Sequence, residues 1–505
     1  MRKLYIIDLN NNHHDISIKN SDIIYINRGN VSFNNSNILK FKKLNNSQNS
    51  RKFFLNEFKK KIGFKDNYFI KELEIYNLRN DKNFFLSKIL NFLRIKDFLK
   101  KNNKYKLYCI SDNSSTSQIL NQLSGLKVHN IFKGKVNKNI FFKKNFYFYY
   151  FKFIFKTLFL ISLIKIFNQN NIRRNLKLKK KKWAISLYPN FFRDDKEIFF
   201  GDKFNKINFL LSDETHLNHS FLQIIKIYFK NRNKIINIES FINYEDIYMS
   251  IKQILKKKKI FNKLKSDKLV INKLNFTEFY QESIINSFIN RSKLTIYDKA
   301  IQKFQKYYNF KEFHIYLFEY NFGFYLIRKL KKNDCKIIGY QHGIFNKNLM
   351  WLDLIKFEKY KIFNPNKIIS NYLPSLKEYK NIYKKNIDSY KYSKRKISKL
   401  AYLINIRKIS DKIKKILIIS GTHDIKDIYF YCQNSVLKNK NNIFFIKTHP
   451  KNKFYFQNDK NIKKIERING KSFNKVLVSS TSTISYDLKV LNKKFDIFKP
   501  DYKSS

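Results

Sequence analysis

Residues 416–424 read Ile-Leu-Ile-Ile-Ser-Gly-Thr-His-Asp, an apolar run followed at once by a small polar turn. A short apolar run of this kind is typical of a strand buried on both faces of a parallel sheet. The same rhythm recurs at 105–117 (YKLYCISDNSSTS) and at 335–343 (CKIIGYQHG). Further strands are predicted at 183–188, 443–447 and 476–479. Strands that alternate with helical segments predict an α/β protein with parallel sheets.

Two polar, lysine-rich stretches, 168–182 and 379–399, divide the 505 residues, which are too many for one ordinary core. We therefore predict an N-terminal α/β region at 1–175 and a second region at 183–378, which is either separate from the first or continuous with it. A connecting segment at 379–412 and a short final domain at 413–505 complete the prediction.

Composition excludes several classes of protein. Apolar residues make up 43% of the chain, with 51 Phe and 33 Tyr, so wholesale disorder is excluded. The three cysteines, Cys109, Cys335 and Cys432, are far apart, which argues against a disulfide framework or a cysteine-rich zinc site. This usage favours a reducing cytoplasm.

The net charge of +65 suggests nucleic acid or an anionic membrane as a partner. However, Lys, Asn, Ile, Phe and Tyr are abundant together, while Gly and Pro number only 10 and 5. A bias towards A/T-rich codons explains this pattern, so we attribute most of the basicity to composition. No nucleic-acid-binding module is visible, and we expect no nucleic-acid partner.

The stretch 146–167, FYFYYFKFIFKTLFLISLIKIF, is long enough to span a membrane. Lys152, Lys156 and Lys165 interrupt it on two helical faces, which disfavours a spanning helix. Basic residues follow at 173–182. Two interpretations stay open, a peripheral helix on an anionic membrane surface and a core helix followed by a solvated linker.

Two groups of residues in the second region are candidates for catalysis. His342 follows the predicted strand 335–340 and lies between Gln341 and Gly343, where a ligand cleft is expected in an α/β sheet. A neutral imidazole there suits a general base, although a histidine at a strand end also serves structure. Glu319 precedes it by about twenty residues and is either a partner of His342 or a first-turn helical acid.

Two further groups in the final domain suit a phosphate. Lys447 and His449 lie in Lys-Thr-His-Pro at a strand end, and both side chains can donate to phosphate. The turn 479–483, Ser-Ser-Thr-Ser-Thr, leads into a predicted helix. Hydroxyls and free amides at a helix start suit a diphosphate, although plain helix capping gives the same pattern.

The order strand–QHG, strand–SGTHD, strand–KTHP, strand–SSTST resembles bacterial surface-carbohydrate biosynthesis proteins of the GT-B fold. That group includes capsule and lipopolysaccharide glycosyltransferases and the CDP-glycerol glycerophosphotransferases. The resemblance covers residues 317–500. It implies two Rossmann-like domains facing a cleft, with an N-terminal extension or an elaborated first domain, in a cytoplasmic protein that is potentially peripheral on the inner membrane.

The resemblance also implies residue roles. His342 matches the base that activates an acceptor hydroxyl, and His449 matches a contact to the donor phosphate. The residues that match the donor-phosphate site are Gly421, Thr422, Lys447, Ser479, Ser480, Ser482 and Thr483. Asp487 matches the acid that holds the ribose. The implied partners are a nucleotide-sugar or CDP-polyol donor and a glycan or lipid-linked acceptor, with no bound cofactor and no metal.

The sequence departs from that family after the serine turn. Asn492-Lys493-Lys494 replaces the usual Gly-x-Pro, and the final block is short. An alternative is therefore a non-catalytic assembly protein with the same fold. A basic nucleic-acid-binding protein is a further alternative, which only the net charge supports. His13-His14-Asp15 and His216-x-x-His219 are the densest potential metal ligands, and both lack a further ligand at suitable spacing.

Overall fold

The computed structural model describes part of the chain, and its side-chain detail is confined to part of those residues. The described residues are 2–8, 12–19, 21–26, 30–34, 37–38, 85–102, 104–111, 114–124, 129–130, 148, 150–155, 157–159, 161–162, 183–186, 192–193, 196–197, 208–210, 235–264, 268–308, 311–316, 321–332, 334–341, 358–370, 376, 379–380, 387–388, 397–407, 413–421, 424–449 and 458–499.

A parallel sheet of five strands lies near the N-terminus. The elements of this unit are β1 (Arg2–Asp8), β2 (Asn12–Lys19), β3 (Asp22–Tyr25), β4 (Asn30–Asn34), β5 (Asn37–Ile38), α1 (Phe85–Lys101), β6 (Tyr105–Ser111), α2 (Ser114–Ser124) and β7 (His129–Asn130). The sheet order is β5-β3-β1-β6-β7, and β2 pairs separately with β4. The first strand therefore lies in the middle, with later strands added on both sides.

The second unit contains a parallel sheet of seven strands. Its elements are β8 (Trp183–Ser186), β9 (Phe192–Arg193), β10 (Lys196–Glu197), β11 (Asn208–Leu210), β12 (Ile235–Asn237), α3 (Tyr244–Leu264), β13 (Val270–Ile271), β14 (Leu274–Asn275), α4 (Thr277–Lys293), α5 (Tyr297–Tyr308), β15 (Glu312–Tyr316), α6 (Asn321–Lys331), β16 (Lys336–Tyr340), β17 (Lys367–Ile369) and β18 (Ile387–Asp388). Short 3-10 helices cover Ile238–Phe241, Leu294–Ile296 and Glu358–Phe363. The sheet order is β12-β11-β8-β15-β16-β17-β18.

The third unit contains another parallel sheet of five strands. Its elements are α7 (Lys399–Leu403), β19 (Asn405–Ile406), β20 (Lys414–Ile419), α8 (Ile425–Lys438), β21 (Asn442–Lys447), β22 (Ile462–Lys464), β23 (Ser472–Phe473), β24 (Lys475–Ser479), α9 (Ile484–Val490) and β25 (Asp496–Phe498). The order β22-β21-β20-β24-β25 repeats the arrangement of the first unit.

Strand β20 shows why an unbroken apolar run predicts this architecture. Leu417 and Ile419 enter one hydrophobic cluster, while Ile416 and Ile418 enter another. Because successive side chains of a strand point to opposite faces, the sheet has an apolar layer on each side. The mixed α/β fold with parallel sheets predicted from the sequence is thereby confirmed.

Part of the predicted connecting segment, 379–412, contributes to the third unit. Ile397, Ala401 and Ile404 are buried in the cluster that contains Val476 and Leu488, and β19 pairs with β23. The predicted end of the second unit, residue 378, precedes β18, which is the edge strand of its sheet. The described third unit therefore begins at residue 397.

Candidate functional site

The strand order of the third unit identifies where a ligand would bind. Strands β21 and β22 extend the sheet on one side of β20, and β24 and β25 extend it on the other. In open parallel sheets, ligands bind beyond the carboxyl ends of the strands where the order reverses. Here that switch point lies between β20 and β24, so Gly421 and Asp424, which follow β20, meet the turn 479–483 there.

Gly421 and Thr481 bring the two turns into direct contact. A Cβ atom added to Gly421 would lie 1.8 Å from Thr481 Oγ1 and 3.1 Å from Asp424 Oδ2. These separations leave no room for a side chain, so glycine is required by close approach of the turns. The sequence assigned Gly421 to the donor site, and the structure places it at the switch point.

Asp424 joins the two turns and is the residue that the sequence interpretation missed. Its Oδ2 accepts hydrogen bonds from the Gly421 N–H and from Thr481 Oγ1, both at 3.1 Å. The residue is 1% exposed, and burial raises the pKa of its carboxyl, while hydrogen bonds from Ser479, Gly421 and Thr481 oppose that rise. Among the described residues, Oδ1 has no hydrogen-bond partner. The signal in the sequence was the acid that ends the polar turn after the predicted strand 416–420.

Within the turn 479–483, the hydroxyl groups divide into two sets. Ser479 and Ser482 are buried, and Ser479 Oγ lies 2.9 Å from Thr481 Oγ1. Ser480 and Thr483 are half-buried, and the Thr483 side chain makes no cap bond at the start of α9. The turn is therefore held internally by Ser479 and Thr481, while Ser480 and Thr483 are the members better placed for a ligand.

Strand β21 brings Lys447 and His449 to the same edge of the sheet. The His449 backbone N–H donates to Ser420 Oγ at 2.9 Å, which ties this loop to the turn after β20. Lys447 Nζ donates to the Glu466 carbonyl oxygen at 2.6 Å. The lysine head group is thus engaged with the loop after β22, whereas His449 lies beside the switch point.

Asp487, the predicted ribose acid, is buried in α9. Its Oδ2 accepts the backbone N–H of Ser398 at 3.1 Å, which joins the start of α7 to α9. Lys493, in the stretch that replaces Gly-x-Pro, donates to the carbonyl oxygens of Ala401, Tyr402 and Ile404 at 2.6–2.8 Å. Both charged groups thus hold the segment 397–404 in place.

The predicted catalytic group of the second unit is described only in part, because Glu319, His342 and Gly343 lie outside the described residues. Thr422 of the third unit also lies outside them. In the sequence, Glu319 follows β15 and His342 follows β16, and these are adjacent parallel strands whose last residues, Tyr316 and Tyr340, are in register. Gln341 is buried, donates its N–H to Ile369 O at 3.0 Å and accepts a hydrogen bond from the Ser370 hydroxyl. Gln341 thus joins β16 to β17, and its side chain is used within the sheet.

The first unit has a comparable arrangement at its own switch point, between β1 and β6. Asp8 is fully buried and accepts a hydrogen bond from Thr116 Oγ1. Lys88, 2% exposed, places Nζ 2.8 Å from Asp8 Oδ1. In the first unit, Thr116 follows β6 and hydrogen-bonds Asp8 at the end of β1. In the third unit, Thr481 follows β24 and hydrogen-bonds Asp424, which follows β20. Of these two aspartates, only Asp8 has a described cation beside it.

Potential metal ligands and thiols can be located in the described part of the chain. No group of three or more His, Cys, Asp or Glu side chains with the arrangement of a metal site occurs there. The three cysteines are free and buried, and burial raises the pKa of Cys109 and Cys335 to about 12. Such thiols are protonated near neutral pH and are weak nucleophiles.

Comparison with known proteins gives no further information about the function of this chain. No protein-family model matches the chain, and a search of curated proteins finds no significant match. The class that the described residues support is therefore an α/β protein with parallel sheets and a polar switch point in its third unit.

Proposed function

We propose that the chain is a transferase that binds a nucleotide-activated donor at the switch point of its third unit. The observation that carries this proposal is the meeting of the turns 420–424 and 479–483, with Gly421 packed against Thr481. Nucleotides bind α/β sheets at this location. Two half-buried hydroxyl groups, Ser480 and Thr483, and the side chain of His449, whose backbone N–H is bonded to Ser420, supply hydrogen-bond donors to phosphate oxygens.

The particular enzyme that we propose is a GT-B-like glycosyltransferase, or related phosphotransferase, of bacterial surface-polysaccharide synthesis. Its support is the ordered set of sequence motifs together with the parallel sheets of the second and third units. The second unit would bind a glycan or lipid-linked acceptor, and the third the donor. Neither a resident cofactor nor a metal enters this proposal.

In the proposed reaction, His342 removes the proton from the acceptor hydroxyl while that oxygen attacks the donor. With a nucleotide sugar, a bond forms from the acceptor oxygen to the anomeric carbon, and the bond to the diphosphate breaks. With a CDP-polyol, the attack is on phosphorus and CMP leaves. Ser480, Thr483 and His449 stabilise the negative charge that develops on the leaving group.

The direct test is a thermal-shift screen with UDP-, CMP-, CDP-, GDP- and dTDP-linked donors, followed by calorimetry on any hit. We expect the double variant Ser480→Ala/Thr483→Ala to bind that donor more weakly. Each lost hydrogen bond contributes about 1 kcal/mol, so the expected loss is about 10- to 30-fold in Kd.

The matched control is Ser435→Ala, which lies near the C-terminal end of α8, about 15 Å along the helix from its start, and should leave donor affinity unchanged. A folded double variant with unchanged affinity for a donor that binds the wild type would exclude the turn 479–483 from the site. Absence of any stabilising donor in the screen would count against nucleotide-dependent transfer itself.

A further inference from the structure

The described residues of the aromatic stretch 146–167 are helical and form two different faces. Residues 148, 150–155, 157–159 and 161–162 are helical within the described part of 146–167. One face is buried; it consists of Tyr150, Phe153, Ile154, Thr157 and Ile161, all at most 6% exposed. Tyr150 places its hydroxyl 3.0 Å from Ser250 Oγ of α3, so this face is anchored on the second unit.

The opposite face is aromatic and exposed. Phe148, Phe151 and Phe155 are 61%, 53% and 67% exposed. Successive helical residues are about 100° apart, so these three positions fall within one narrow sector of the helix. We call Phe148, Phe151, Phe155 and the neighbouring Lys152 the aromatic stripe. A surface helix normally exposes polar residues there, and a cluster of large exposed apolar groups indicates a binding surface.

Charge indicates which partner this surface fits. Lys152 lies in the same sector, is exposed, and places Nζ 5.9 Å from the centroid of the Phe148 ring. The sequence continues with Arg173, Arg174 and the lysines 179–182, which lie outside the described residues. Phenylalanine rings beside cationic groups are typical of helices that lie in the interface of an anionic bilayer.

We propose that the aromatic stripe is a docking surface for anionic lipid, with the helix lying parallel to the membrane plane. The three phenyl rings enter the boundary between headgroups and acyl chains. Lys152 contacts lipid phosphates. The opposite, buried face keeps the helix attached to the rest of the protein. This inference is independent of the proposed transferase activity, because it uses none of the switch-point residues.

The test is co-sedimentation of the full chain with vesicles of phosphatidylcholine, with and without phosphatidylglycerol, at low and high salt. We expect binding to the anionic vesicles that weakens with salt. The triple variant Phe148→Ser/Phe151→Ser/Phe155→Ser should bind at least about tenfold more weakly. Lys152→Gln should reduce binding to the anionic vesicles about fivefold and leave binding to neutral vesicles unchanged.

A matched control removes equally exposed apolar groups elsewhere. Tyr402, Ile413 and Leu437 are 54%, 47% and 81% exposed in the third unit, and Tyr402→Ser/Ile413→Ser/Leu437→Ser should bind vesicles like the wild type. If the aromatic triple variant binds like the wild type, or if the wild type binds neither vesicle, the proposal is overturned. Self-association that the triple variant abolishes, without vesicle binding, would identify a second copy of the chain as the occupant instead and would also overturn it.

A conservative variant keeps the proposal testable if the triple variant fails to fold. Phe155→Trp retains an aromatic ring on the exposed face. The wild type already contains Trp183 and Trp351, so its emission spectrum is subtracted from that of the variant. The remaining emission, from the new indole, should shift to the blue on addition of anionic vesicles. An unchanged spectrum at saturating lipid would place residue 155 in water and would overturn the proposal.

Discussion

Asp424 is the residue on which the geometry of the switch point depends. One carboxylate oxygen holds the Gly421 N–H and the Thr481 hydroxyl, so a single side chain sets the spacing of the two turns. A buried carboxylate carries a large desolvation cost, and here the raised pKa reports that cost. Stability should therefore depend on pH through this group.

We predict that Asp424→Asn removes one component of the pH dependence of stability. The folded-state pKa of Asp424 lies above its unfolded value of about 4, so the folded protein binds this proton more tightly. The resulting stabilisation is fully present below pH ~4 and is lost as pH rises through the folded-state pKa. Thermal unfolding of both proteins from acidic to neutral pH should show the variant gaining stability relative to the wild type.

The side-chain amide in Asp424→Asn retains an oxygen that can accept the hydrogen bonds from Gly421 and Thr481, so the variant should keep the spacing of the two turns. Asp459→Asn is a surface control for general charge effects, since its carboxyl lies in the exposed turn before β22. Parallel stability curves for wild type and Asp424→Asn across this pH range would contradict the prediction.

His342 is the residue on which the proposed chemistry depends. We predict that His342→Ala folds, binds donor with nearly normal affinity, and turns over about 10²- to 10⁴-fold more slowly, which is the typical contribution of a general base. The pH–rate profile should also lose its acidic limb. Near-normal turnover would contradict a base at this position. His449→Ala serves for comparison, since it should weaken both donor affinity and rate.

At the scale of elements, α7 is a five-residue helix whose stability comes from tertiary contacts. Its Ser398 cap accepts the Leu400 N–H at 3.2 Å, and Lys493 satisfies carbonyl oxygens at its other end. A helix this short is unstable alone, and a cation near its C-terminus favours it. The hydrogen bonds of the Lys493 side chain therefore stabilise a helix that is too short to be stable through its own local contacts.

We predict that Lys493→Met makes residues 397–407 open locally. Loss of bonds to a charged donor costs about 1.5–3 kcal/mol, so amide exchange in this segment should be roughly tenfold or more faster. Hydrogen exchange resolved by peptide is the measurement. Lys494→Met, at an exposed neighbouring position, should leave exchange unchanged; equal exchange in wild type and Lys493→Met would show that the carbonyl contacts are dispensable.

At the scale of the whole molecule, the first and second units contact each other through polar and aromatic groups. Gln122 Oε1 accepts the backbone N–H of Asn275 at 2.8 Å. The Lys88 ammonium lies 5.6 Å from the centroid of the Phe279 ring on α4 while it pairs with Asp8. The second unit thus covers the buried ion pair of the first, and breaking that pair should affect both.

We predict that Lys88→Met lowers the unfolding free energy by about 3–5 kcal/mol, because it leaves Asp8 charged and buried without its cation. Adding Asp8→Asn should recover much of that loss, since the double variant buries no net charge. Urea denaturation of the three proteins is the measurement. A double variant no more stable than Lys88→Met would show that lost packing around the lysine stem, and not the stranded charge, is responsible.

How far the sequence predicted the structure can be judged from particular elements. Strands β6, β8, β16, β20, β21 and β24 were found from apolar runs, because strands buried on both faces need apolar side chains at every position. The small strands β19 and β23 were missed, since two-residue strands carry no periodic signal. Residues 397–407 were predicted to belong to the connecting segment 379–412, because the lysines and serines of that segment obscured the apolar pattern of Ile397, Ala401 and Ile404, which are buried in the third unit.

The sequence by itself determined the parallel α/β class and the turns that end its strands, because these depend on local apolar runs and on the residue types that follow. The tertiary structure alone decided which turns meet. The order β22-β21-β20-β24-β25 brings Gly421 and Asp424 beside the turn 479–483. It gives Asp424 a hydrogen-bond partner from that turn. It also brings Asp487 and Lys493 into contact with the segment before β20. Strand order is set by packing between residues far apart in the chain, and no local pattern encodes it.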